Sequence, residues 1–196
     1  MQKFERVYQF KITLKGIKPN IWRRIQVPET YSFWDLHVAV QDAMGWQDYH
    51  LHDFTVRNPR TRKKERIGIP DDDFDLEFLP GWELNIADYL SLRNSTATYV
   101  YDYGDNWVHI VKLEKILARV KGTKYPRCVD GERACPPEDC GGIHGYAEFL
   151  QAIMDPGHEQ HENLLTWSGG NFEPEAFDPD KVRFDDPGKR WKHAFG

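Results

Sequence analysis

Three cysteines, Cys128, Cys135 and Cys140, are followed by His144 in the spacing C-x6-C-x4-C-x3-H, within and just beyond the stretch CVDGERACPPEDCGG. Four thiolate and imidazole donors are what a structural zinc ion takes in a tetrahedron, and a loop bent by Gly and Pro can wrap them round one ion. The sequence has no C-x2-C knuckle, so the spacing is looser than in the common zinc modules. Two other fates are open to the same residues. Free thiols pack as small hydrophobes in a structural loop. A thiol beside a base or cation becomes a nucleophile, and Arg127, Arg133 and His144 are near in sequence. The leading expectation is a structural loop packed on the core, which becomes a zinc site only if a histidine reaches its thiolates.

Two further groups carry possible chemistry. In YDYGDNWVH, Asp102, Asp105 and His109 put two carboxylates and an imidazole around a hairpin tip, a set able to hold a metal or act as an acid–base pair. Against that, Asp105 and Asn106 suit the turn itself, and His109 shares a strand face with Trp107 and Val111. In GWQDYHLHDF, His50 and His52 are two apart and point to one side of a strand, a common start for a metal site but weak alone. The sequence contains no P-loop, no G-x-G-x-x-G, no G-x-S-x-G and no H-E-x-x-H.

These residues need a scaffold, and 196 residues can bury one sizeable core. The aromatic share is 14%, with seven Trp, so several rings must anchor that core. A net charge of −5 argues against a general polyanion binder, because nonspecific DNA affinity comes from neutralising phosphates. A local exception is RNPRTRKKER (57–66), with six basic residues and one acid, followed by the acidic run Asp71–Asp73. It reads as a charged hairpin connection or as a loop that contacts phosphate. No apolar run is long enough to span a membrane. The N-terminus alternates rather than forming an apolar signal core, and an odd number of cysteines suits a reducing compartment. The expectation is therefore a cytoplasmic protein.

Period-two alternation marks strands at Tyr8–Leu14 and Ile21–Val27, joined by turn chemistry at Gly16 and Pro19-Asn20. Ser32 is placed to cap a helix from Phe33 that stops at Gly45. Leu51–Val56, Thr96–Tyr103 and Trp107–Leu113 read as further strands, the last two joined through Gly104-Asp105-Asn106. Leu84–Leu90 reads as a helical turn. The sequence therefore predicts an α+β fold: a mixed sheet with a β-grasp-like hairpin–helix–strand core over residues 1–118. Residues 119–196 would be an extension packed on that core as one structural domain. It would comprise the Cys/Pro/Gly loop, helices at Tyr146–Met154 and Glu159–Thr166, and an irregular tail.

The segments YQFKITLKGIKPNIWRRIQVP, FWDLHVAVQDAMGWQDYHLHDF, YVYDYGDNWVHIVKLEKIL and YPRCVDGERACPPEDCGGIHGYAEFL occur in that order. Together they resemble the plasmid ORF-3-like family, named after an open reading frame of a root-inducing plasmid, over about residues 6 to 185. Family members also travel as passengers of mobile elements, where they carry a resolvase label. No Ser or Tyr set among clustered arginines supports that label here. The family pattern matches Trp22, Arg23, Arg24, His50, Asp102, Gly104, Asp105, Trp107, His109, Cys128, Cys135 and the run from Pro136 to Gly141, which includes Glu138, Asp139 and Cys140. At 144 the family has another residue, which moves the fourth-ligand expectation from His144 toward His109. The resemblance brings no assigned activity. The expectation is a non-catalytic binding or adaptor module, meeting protein or nucleic acid through the basic 57–66 loop. The alternative is a metal- or thiol-dependent enzyme built on the 128–140 loop.

Overall fold

Alternating apolar residues on β1 (Arg6–Leu14) and β2 (Trp22–Pro28) make the two strands an antiparallel hairpin, with Phe10 opposite Ile25. The computed structural model describes residues 3–70 and 77–196 of the chain, so the acidic run Asp71–Asp73 lies outside the described residues. The helix α1 (Phe33–Met44) starts with a full capping box: Ser32 Oγ accepts from the Asp35 amide while the Asp35 carboxylate accepts from the Ser32 amide. It stops at Gly45, whose φ of 91° a side chain would resist.

β3 (His52–Arg57) follows, then β4 (Lys64–Gly68), the short β5 (Leu79–Pro80) and the single-turn helix α2 (Ile86–Tyr89). β6 (Thr96–Tyr101) and β7 (Trp107–Ala118) form the second long hairpin. The sheet has eight strands in the order β5-β4-β3-β6-β7-β1-β2-β8, antiparallel except for β4 beside β5. The strand after the helix, β3, is thus separated from β1 by β7 and β6. One core face carries a row of neighbours in register, Phe54, Tyr99, His109 and Leu14, all buried. Trp107 is fully buried among them, and truncating such a ring to Ala costs about 3–5 kcal/mol.

Two parts of the C-terminal region differ from expectation. The stretch expected to be a loop over 121–142 contains β8 (Arg127–Glu132), which extends the sheet by pairing with β2. Its sequence, RCVDGE, lacks apolar alternation because this edge strand buries little. After α3 (Gly142–Met154) and α4 (His161–Trp167), the tail expected to be irregular forms a 3₁₀ turn at Pro179–Lys181 and a helix α5 (Pro187–Phe195). Asp186 caps α5 by accepting from the Lys189 amide, and Pro187 occupies its first turn. Trp191 and Phe195 of α5 pack against Trp34 of α1. Among the described residues no helix is long and apolar enough to cross a membrane.

Candidate functional site

Three segments meet at one end of the sheet: the loop after α1, the β6–β7 turn, and the loop between β8 and α3. The β6–β7 turn is built by Asp102, which tolerates φ of 57° because its short side chain bonds locally. Asp102 Oδ1 accepts from the amides of Gly104 and Asp105 at 2.8 and 3.3 Å, and Asp102 Oδ2 is left facing His50. The loop before α3 is tied down at several points. Trp46 Nε1 donates to Pro136 O at 2.9 Å, and the Gln47 amide donates to Glu138 Oε1 at 2.7 Å. Tyr101 OH reaches both Glu138 oxygens at 3.1 and 3.2 Å, and the Gly141 amide donates to Asp105 Oδ2 at 3.2 Å. Gly142 must lack a side chain here, since a Cβ would stand 2.6 Å from Asp105 O.

The result is a nest of carboxylates around one imidazole nitrogen. His50 Nε2 lies 2.9 Å from Asp139 Oδ1, 3.7 Å from Asp102 Oδ2 and 4.0 Å from Glu138 Oε2. That nitrogen is buried and makes no hydrogen bond of acceptable geometry. Donors on a sphere of metal–ligand bonds about 2.0–2.2 Å long cannot be more than about 4.4 Å apart. All three distances from His50 satisfy that limit. Asp102 and Glu138 are close to buried, whereas the Asp139 side chain is 65% exposed, so the group opens to solvent on one side. Imidazole with several carboxylates is a donor set for a divalent first-row ion such as Mn²⁺, Fe²⁺ or Zn²⁺.

A second group, His37, Asp48 and His52, also gathers three potential donors within 4.8 Å. Its geometry argues against an ion. The two imidazoles are stacked face to face, 3.4 Å apart and 5° from parallel, so an ion in the plane of one ring lies out of the plane of the other. Both His37 nitrogens are already engaged, Nδ1 with Tyr99 OH and Nε2 with Asp48 Oδ1, each at 2.8 Å. Gln41 Nε2 donates to the same Tyr99 oxygen. Burial and the neighbouring His37 hold His52 well below the usual imidazole range. This pair is a packed element of the core.

Among the described residues two groups place three potential metal donors within 4.8 Å, and neither contains a cysteine. Cys128 is drawn into β8 opposite Ile25, with its sulfur 3.5 Å from the carbonyl oxygens of Arg24 and Asp130. Cys135 lies near Arg23, and Cys140 precedes α3. His109 is buried on β7 beneath Trp46, 5.3 Å between ring centroids, and its nitrogens have no hydrogen-bond partner. Burial lowers its pKa to about 3. His144 is exposed on the first turn of α3. Burial pushes the Cys135 and Cys140 thiols up to about 12 and raises Cys128 as well, so all three stay protonated near neutral pH. That is the opposite of an activated nucleophile.

Of the polar residues singled out by sequence, His50, Asp102, Glu138 and Asp139 converge, and Asp105 stands one bond away, holding Gly141. Tyr101 and Gln47, which fix Glu138, were not singled out. The available signal was the position of Tyr101, directly before Asp102 on the core-facing side of β6.

The family model described as plasmid pRiA4b ORF-3-like protein matches residues 6–181. The chain belongs to this family. The uncharacterized protein y4hQ of Sinorhizobium fredii is 34% identical over 166 residues, covering 84% of this chain and 82% of that one. The crystal structure of MM3350 from Methanosarcina mazei Go1, a protein of unknown function, has a TM-score of 0.87 and 48% identity. It covers 93% of this chain and 100% of that one. The plasmid pRiA4b ORF-3-like match spans His50, Asp102, Glu138, Asp139 and all three cysteines. It ends before α5.

Proposed function

We propose that this plasmid pRiA4b ORF-3-like protein binds a divalent first-row metal ion through His50 Nε2, Asp102 and Asp139, with Glu138 as a neighbouring carboxylate outside that three-donor group. The observation that carries this is the buried, unbonded His50 Nε2 held within 4.0 Å of three carboxylates. Without a cation, three acids packed round one nitrogen repel each other; with one, every lone pair has a use. The exposed Asp139 side leaves room for water or an oxygen ligand on the ion. An ion so placed supplies Lewis-acid binding and polarisation of that ligand. This supports the metal-dependent alternative and disfavours the thiol-dependent one, whose thiols are held protonated by burial.

The test is metal content by mass spectrometry on untagged protein, with a count of reactive thiols. The expected result is one first-row ion per chain, lost in His50→Ala and in Asp102→Asn but kept in Cys135→Ser. An ion retained in both cluster variants and lost with Cys135→Ser would return the site to the cysteines.

One observation favours a binding role alongside the ion. Arg57, Arg60, Arg62, Lys63 and Lys64 are all exposed on the β3–β4 hairpin, whereas Arg66 is spent on Asp53. Such a hairpin suits a polyanionic partner, and a steep salt dependence of duplex binding, lost on reversing Lys63 and Lys64 to Glu, is its test. The pairing of β8 with β2 also supports treating residues 119–196 and the preceding core as one structural domain.

A further inference from the structure

Arg23 on β2 is 2% exposed, and no carboxylate pairs with it among the described residues. Arginine is almost never buried so fully without a counter-charge. The hydrogen bonds it makes all go to backbone oxygens. Nε donates to Ala43 O at 2.9 Å, and Nη1 donates to Trp22 O at 2.9 Å and Glu132 O at 3.0 Å. Those three bonds use the Nε hydrogen and both hydrogens on Nη1, so Nη2 is the nitrogen left over. The guanidinium Cζ sits over the Phe177 ring, 3.7 Å from its centroid.

Arg23 lines a shallow, open cavity of about 660 Å³ between the C-terminal end of α1, the loop at Ala134–Cys135 and the segment 175–183. The volume lies in the range that takes small organic ligands. Three acids share the wall, and each pairs with a cation, although Arg190 is shared by Asp42, Asp48 and Asp185. Asp42 is held by Arg190 at 2.6 Å, Glu175 by Arg133 at 2.9 Å, and Asp178 by Lys181 at 3.8 Å. The cations on the wall without a carboxylate partner among the described residues are Arg23 and Arg183. The apolar part is supplied by Met44, Phe177 and Val182 together with small alanines.

We propose that this cavity binds a small organic monocarboxylate, its carboxylate on Arg23 Nη2 and its apolar body against Met44, Phe177 and Val182. A single buried cation with one free nitrogen matches one carboxylate; a phosphate dianion calls for a second buried cation, and Lys181 and Arg183 are exposed. The site is separate from the His50 cluster and does not depend on a metal there.

The test is isothermal titration of the full chain in chelator, with benzoate, benzyl alcohol and inorganic phosphate as probes. Benzoate is expected to bind once per chain, at least tenfold tighter than benzyl alcohol, which carries the same ring without the charge. Phosphate is expected to bind at least tenfold more weakly than benzoate. Because Arg23 also anchors three carbonyls, the mutational arm uses Ala176→Trp, an exposed position on the cavity wall, and this variant should weaken benzoate at least tenfold. Equal affinity for benzyl alcohol would overturn the role of Arg23. Phosphate binding as tight as benzoate would overturn the ligand class, and undiminished benzoate binding by a folded Ala176→Trp would overturn the location.

Discussion

Replacing Asp139 with Asn should change the stability of this protein in opposite directions depending on metal. In chelator, Asp102 and Asp139 offer oxygens within 4.8 Å of each other, and Glu138 adds a third negative charge. Two like charges at that distance repel by about 0.9 kcal/mol under water-like screening, the appropriate limit because Asp139 is mostly exposed. The amide keeps the shape of the side chain and removes the repulsion, so the metal-free variant should gain up to about 1 kcal/mol, or roughly 2–4 °C in Tm for a chain of this size. With Mn²⁺ or Zn²⁺ the order should reverse. Wild type at a thousandfold excess over its Kd gains about 4.1 kcal/mol, and a variant binding tenfold more weakly gains about 2.7 kcal/mol. Losing a carboxylate ligand should weaken binding at least that much. Thermal unfolding followed by tryptophan fluorescence, in chelator and then in excess metal, reads both signs in one pair of proteins. The reasoning fails if the Asp139→Asn variant melts below wild type in chelator, or if metal raises both proteins equally.

His109 is buried with a pKa of about 3, well below the usual imidazole value, so the unfolded chain binds its proton first. Its contribution is complete above about pH 6.5 and is lost as pH falls toward 3, at about 1.4 kcal/mol per pH unit. His109→Phe should therefore shift the acid-unfolding midpoint to lower pH, as read by circular dichroism. Arg190 joins α5 to α1 through Asp42, at 2.6 Å, and also pairs with Asp185 just before α5. Arg190→Ala should cost about 1–3 kcal/mol in urea unfolding and expose α5 to protease first, because a near-buried Asp42 loses its partner. The thiols, held protonated by burial, should react with a disulfide reagent far more slowly in native protein than in denaturant, where all three titrate. Gly142→Ala should destabilise by about 1–3 kcal/mol and lower metal affinity, since its Cβ would push against the Asp105 carbonyl that seats the β6–β7 turn.

Local signals carried the parts of the fold that could be read in sequence. Ser32 and Gly45 bracket α1 because capping is decided within a few residues, and the alternation of Tyr8–Leu14 and Trp107–Leu113 gives β1 and the first part of β7. β8 was hidden because an edge strand buries too little to write an alternation. α5 was hidden by a Phe/Asp/Pro-rich tail, although Asp186-Pro187 is a usable start signal. The cluster is a different case. His50, Asp102, Glu138 and Asp139 stood out by type and family pattern, yet their meeting depends on loops 50 and 90 residues apart being fastened together by Trp46, Gln47 and Tyr101. The cysteines drew attention by rarity, while the acids between and beside them, Glu138 and Asp139, are the ones that face His50.

β1 lies inside the sheet with β2 on one side and β7 on the other, paired along Arg6–Leu14 with residues 109–118. On a ribosome, β1 and β2 emerge together, but β7 appears about 100 residues later, a wait of roughly 5–20 s at ordinary synthesis rates. For that interval β1 presents an unpaired edge and the apolar face of Phe10, Ile12 and Leu14 to anything nearby. Nascent chains of this protein should therefore be chaperone clients until residue 118 clears the exit tunnel. Mutations that slow translation between β2 and β7 should raise aggregation without altering the stability of the finished fold.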